Sequence, residues 1–141
     1  MSYNSVLVEE MYIVRWLEPN VDDIREIVKK VNELGRKTDN RLIYVAIAPD
    51  SSTPPDNETR DAMVKSMDDM IQVCSSLHLV VEGTGFRNSI KRSVLTGILL
   101  ASGKSKNFYV HANFDEVFEK LGGINNSVSK MNAARAAGVV E

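Results

Sequence analysis

Polar and apolar positions alternate near the start of the chain and then settle into helical spacing. In residues 5–17 (SVLVEEMYIVRWL), Val6 and Val8 alternate with polar neighbours, and Tyr12–Leu17 is rich in β-formers. This predicts two strands joined at Glu9-Glu10, a junction without the glycine that a tight hairpin turn prefers. Val21, Ile24, Ile27, Val28, Val31 and Leu34 then recur at helical spacing. Asn20 is a candidate N-cap, and Asp22 and Asp23 put negative charge where the helix dipole favours it. Gly35, followed by Arg36-Lys37, reads as the C-terminal stop. Leu42–Ala48 is a nearly continuous apolar run, suited to a central parallel strand covered on both faces. After the turn-rich segment 49–55, a helix is expected from Asp56-Asn57 to near Ser76. Its apolar stripe would hold Met63, Val64, Met67, Met70, Ile71 and Cys74. Leu77–Val81 predicts a buried strand, and Asn88–Ser102 a helix burying Ile90, Val94, Leu95, Ile98 and Leu99. Asn107–His111 predicts another strand. Asn113 and Glu116 resemble a capping box for a short helix carrying Val117, Phe118 and Leu121.

This order, β(β)αβαβαβα, predicts one α/β domain over residues 1–123. Its sheet would be four- or five-stranded and mostly parallel, with four helices on both faces or mainly one. From Ile124 the composition turns polar and then Ala-rich, so residues 124–141 are expected to be a short helix or a disordered end. The net charge of −2 argues against a dedicated nucleic-acid binder. Cys74 is the only cysteine, which excludes an intramolecular disulfide and a cysteine-based metal site. The first residues lack a signal-peptide pattern, and no apolar run approaches the ~18 residues that span a bilayer. A cytoplasmic protein is therefore expected.

Chemistry concentrates at the turn Glu82-Gly83-Thr84-Gly85-Phe86-Arg87. It lies at the carboxyl end of a predicted strand and feeds a helix N-terminus, where open α/β sheets collect ligands and free N–H groups attract anions. Ser89, Lys91 and Arg92 follow, with Arg87 and Lys91 one helical turn apart. The alternative is that the glycines only permit a tight turn and the basic residues form a solvated face. No full GxGxxG is present. Ser102-Gly103-Lys104-Ser105 does not make a P-loop, because Gly97 is one residue too far upstream and the segment ends a helix. His78 and His111 could meet Glu82 or Asp115 at a metal, but without the usual ligand spacing they read as structural. Cys74 reads as a small core residue, and the methionine stripe as core packing or an adaptable surface. No GxSxG elbow and no acid/base pair is positioned, so the chain is read as non-catalytic and cofactor-free.

The segment Leu77–Gly122 resembles the C-terminal half of STAS domains, the fold of bacterial anti-sigma-factor antagonists. The whole order is similar to STAS/SEC14-type relatives, in which an additional helix, here Asn57–Ser76, precedes the strand that feeds the central helix. The resemblance implies a regulatory or signalling module that binds a protein partner and is not an enzyme. In this chain the binding residues would be Gly83, Thr84, Gly85, Phe86, Arg87, Ser89, Lys91 and Arg92. The partner could be a second copy of the chain. The SEC14-like alternative is a small apolar or anionic ligand, or a lipid, in a pocket lined by Ile98, Leu99, Leu100 and the methionine stripe. Many family members switch by phosphorylation at the start of the central helix, which here would fall on Thr84, Ser89 or Ser93. The family's Asp-Ser-Ser/Thr-Gly motif is absent, so a constitutive interaction module is expected.

Overall fold

The computed structural model describes residues 3–49, 56–83, 107–121 and 127–139. They form an α/β arrangement around a five-stranded, mostly parallel sheet with strand order β1-β2-β3-β4-β5. The strands are β1 (Tyr3–Val8), β2 (Met11–Trp16), β3 (Leu42–Ala48), β4 (Cys74–Val81) and β5 (Phe108–His111). Four helices are described: α1 (Val21–Lys37), α2 (Asn57–Ile71), α3 (Asp115–Lys120) and α4 (Ser127–Ala136). The hairpin predicted at Glu9-Glu10 forms, with Val8 opposite Met11. Glu9 takes the left-handed conformation itself, at φ 55°, in place of the missing glycine. β2, β3, β4 and β5 are mutually parallel.

The sheet is buried on both faces, which explains the unbroken apolar runs of β2 and β3. On one face Ile24, Ile27 and Val31 of α1 and Met70 of α2 pack against Tyr12, Val14, Leu42, Tyr44, Leu77 and Leu79. On the other, Val117 and Phe118 of α3 and Ala134 of α4 cover Met11, Ile13, Val45, Ile47 and Val80. α4 packs on the sheet, and Ala134 and Val139 are fully buried. An alanine side chain is small enough to seat a helix backbone close to the strands, so no strong apolar stripe is needed.

α1 starts at its predicted cap, Asn20, and α2 starts where expected, capped by Asp56. The Asp23 N–H donates to Asn20 Oδ1 at 2.9 Å, and the Thr59 N–H donates to Asp56 Oδ1 at 2.8 Å. Two predicted ends move. α1 runs through Gly35 to Lys37 and stops at Thr38, whose backbone N–H bonds to the Leu34 carbonyl, before Asp39 and Asn40 turn left-handed. Gly35 serves packing instead. A Cβ placed there would lie 2.6 Å from Val73 Cβ and 2.7 Å from the Val73 carbonyl oxygen. α2 ends at Ile71, not near Ser76, and Cys74 opens β4. The chain turns at Gln72-Val73 because Val73 must close on Gly35. Cys74 is buried, and burial pushes its thiol up to about 12, as befits a small core residue.

Candidate functional site

Two polar constellations sit on the face covered by α3 and α4. The first lies at the carboxyl edge of the sheet. Arg15, near the end of β2, donates from Nη1 to Glu82 Oε1 at 2.7 Å, just past the end of β4. The same Nη1 reaches the Val139 carbonyl oxygen at 3.5 Å. The pair spans β3, and both side chains are largely shielded, at 11% and 21% exposure, so it ties two strand ends together, with Val139 beside them. The Glu82 N–H donates to the Ala48 carbonyl at 2.9 Å, extending the β3–β4 ladder one residue further. Gly83 then adopts φ +109°, a conformation that side-chain-bearing residues avoid. The described ladder ends there, at the carboxyl edge. Of the eight predicted binding residues, Gly83 is the one among the described residues. Thr84, Gly85, Phe86, Arg87, Ser89, Lys91 and Arg92 lie outside them, as do the predicted helix 88–102 and Ser102-Gly103-Lys104-Ser105.

The second constellation joins residues 33 apart in sequence. His78 pairs in register with Tyr109, and Val80 with His111, so the two histidines project on the same face of adjacent strands. His78 Nδ1 lies 2.9 Å from His111 Nε2, and His78 Nε2 lies 2.9 Å from Ser76 Oγ. His111 Nδ1 faces Glu116 Oε2 at 3.7 Å. Half of the predicted capping box forms before α3, and the carboxylate returns one residue earlier than expected, to Ala112. The Glu116 N–H donates to Asn113 Oδ1 at 3.1 Å, and Glu116 Oε2 accepts from the Ala112 N–H at 2.8 Å.

These contacts favour one tautomer pattern. A carboxylate 3.7 Å from His111 Nδ1 favours a proton on that nitrogen, which leaves His111 Nε2 as an acceptor. His78 Nδ1–H must then donate to it, so His78 Nε2 accepts from the Ser76 hydroxyl. In this pattern the hydrogen bonds run from Ser76 to His78 to His111, with the Glu116 carboxylate 3.7 Å beyond. Both rings are buried, at 1% and 6% exposure. Burial, then His111 and Lys120, push His78 down to about 3. Burial also lowers His111, against the raising pull of Glu116. Both shifts favour the neutral rings. The two imidazoles and the Tyr109 ring stack, and Lys120 Nζ sits 4.7 Å over Tyr109.

The array resembles a nucleophile–base–orienter series in order, but Ser76 is only 6% exposed and lies toward the amino end of β4. Its chemistry is that of a polar brace across β4, β5 and α3. The facing nitrogens of the two histidines are spent on each other, so they do not converge on a common ion. Glu116 completes the array, not Glu82 or Asp115. Among the described residues no group of three or more histidine, cysteine or acidic side chains could hold a metal ion. The methionine stripe divides, with Met70 buried and Met63 packed against the same core.

Among the described residues no helix is long and apolar enough to cross a membrane. Comparison with protein-family models, with curated proteins and with solved structures returns no match.

Proposed function

We propose that the protein is a non-catalytic interaction module of the STAS-like kind, which binds a protein partner at the carboxyl edge of its sheet. The observation that carries this reading is the end of β4. The Arg15–Glu82 pair and the positive φ of Gly83 lie at that edge, and the basic stretch 84–92 follows Gly83 in sequence. Strand order adds support. The chain crosses the sheet in one direction from β2 to β5, and α1 and α2 lie on the same face. A nucleotide-binding crevice in an open α/β sheet forms where the strand order reverses, and these strands have no such reversal. Recognition on an open surface fits this geometry better than a nucleotide site. Arg87 and Arg92 would supply charge, and Phe86 an apolar anchor.

The test is quantitative affinity capture with the wild-type chain and the double variant Arg87→Glu/Arg92→Glu. Circular dichroism would establish that the variant is folded. A protein retained by the wild type and lost from the variant is the expected result. Equal retention would overturn the assignment. Native mass spectrometry of the freshly purified chain tests the pocket alternative, which predicts excess mass released on denaturation.

A further inference from the structure

We infer that β1 is the seat of a symmetric dimer, in which two copies of this chain pair their β1 strands antiparallel into one ten-stranded sheet, twice the five of one copy. This goes beyond the carboxyl-edge reading and does not depend on it.

Among the described residues, β1 is an edge strand that pairs with β2 alone. In an antiparallel ladder, alternate residues point their N–H and C=O groups away from the partner strand, and on an edge these form a template for another strand. Natural edges are protected by charge, proline, a bulge, shortness or a covering helix or loop. Among the described residues β1 has none of the first four, and α4, which touches it, packs on a face of the sheet. The six residues of β1, Tyr-Asn-Ser-Val-Leu-Val, include no charge and no proline, and its register with β2 runs unbroken from Tyr3 to Val8. β5, at the far edge, is only four residues long. Leu7 is 44% exposed on β1, one of two large apolar side chains so exposed among the described residues.

The strand is self-complementary, which is why the occupant is a second copy. A two-fold axis perpendicular to the sheet keeps each helical layer on its own side, and it pairs positions on the same face. The register must then centre on a residue. Centring on Val6 places Val6 opposite its own copy, Ser5 opposite Leu7 and Asn4 opposite Val8, all within the strand. The two Leu7 side chains are covered, and no like charges meet. A closed two-fold contact also uses both unprotected edges at once and leaves the short β5 strands outermost.

Sedimentation velocity of the full chain over a dilution series tests this, with Leu7→Lys and Leu17→Lys compared with wild type. Leu17 is equally exposed, at 46%, but lies beyond β2. The expected result is a reversible dimer. Leu7→Lys should weaken self-association roughly tenfold, because two symmetric cross-strand pairs are lost. Leu17→Lys and Arg87→Glu/Arg92→Glu should remain dimeric, which separates failure here from failure of the partner-binding reading. Amide hydrogen exchange gives a readout that needs no variant, since β1 amides should lose protection on dilution. A wild-type monomer throughout, a Leu7→Lys dimer of unchanged strength, or β1 exchange independent of concentration would each overturn the inference.

Discussion

Acidification from about pH 7 to about pH 5 should take about 2 kcal/mol from this fold through His78 alone. The sign follows from the native state, in which His78 is held down to about 3, chiefly by burial. An unfolded histidine titrates near pH 6.5, so by about pH 5 the unfolded chain has bound almost a full proton that native His78 refuses. Stability present above the unfolded value is lost as pH falls, with a slope approaching ~1.4 kcal/mol per pH unit. The lowered His111 adds in the same direction. The window lies above the range in which ordinary carboxylates titrate, so the histidines dominate it. Urea unfolding at stepped pH, followed by fluorescence of Trp16, the single tryptophan, reads the slope directly. His78→Gln retains an acceptor for Ser76 but cannot bind a proton, and its slope should fall by nearly one proton. Stability that stays flat across this window, or a His78→Gln slope equal to wild type, would refute the assignment of a buried neutral pair.

Two further substitutions test the packing. Gly35→Ala should destabilise by about 1–3 kcal/mol, although alanine is the better helix former by ~1 kcal/mol, because the new methyl meets the Val73 backbone carbonyl at 2.7 Å. A rise in the urea midpoint would show that α1 and the start of β4 can separate freely. Arg15→Met should cost on the order of 2 kcal/mol, since Glu82 keeps a largely shielded charge without this partner. That is less than for a fully buried pair, because Glu82 is 21% exposed. Thermal unfolding measures it, and a variant as stable as wild type would mean that the strand ends hold without the ion pair.

Features governed by near neighbours were legible in the sequence. Strand alternation, the Asn20 cap, the helix start at Asp56-Asn57 and the Glu116 N–H bond to Asn113 depend on residues a few positions apart, and each forms, whereas the Glu116 carboxylate returns to Ala112 in place of Asn113. Gly35 was misread because a glycine near a helix end has two uses. One is a left-handed stop, which depends on the local backbone. The other is room for a neighbour, which depends here on Val73, 38 residues away. The same contact moved the end of α2, since the apolar run through Ile71, Val73 and Cys74 suits a helix stripe or a strand until Val73 is placed. The last helix was obscured by its alanines. Periodicity weights large side chains, whereas Ala134 is buried by the closeness of its backbone to the sheet.

The histidine brace is the harder case, and it shows where the sequence signal stops. A histidine inside the run Leu77–Val81 already marks a polar group that must find a partner in the core, and His111 is another on the next predicted strand. Whether they meet depends on strand parity and on register. Parity is readable, because Leu77, Leu79 and Val81 share one face and leave His78 on the other. Register is not, because a slip of one residue between β4 and β5 would send His111 to the opposite layer. In the fold that register is set by the Leu77 N–H donating to the Asn107 carbonyl at 2.9 Å, with Asn107 held left-handed at φ 62°. An asparagine just before a strand tolerates that conformation readily. It was the one local signal that could have aligned the strands and predicted the pair.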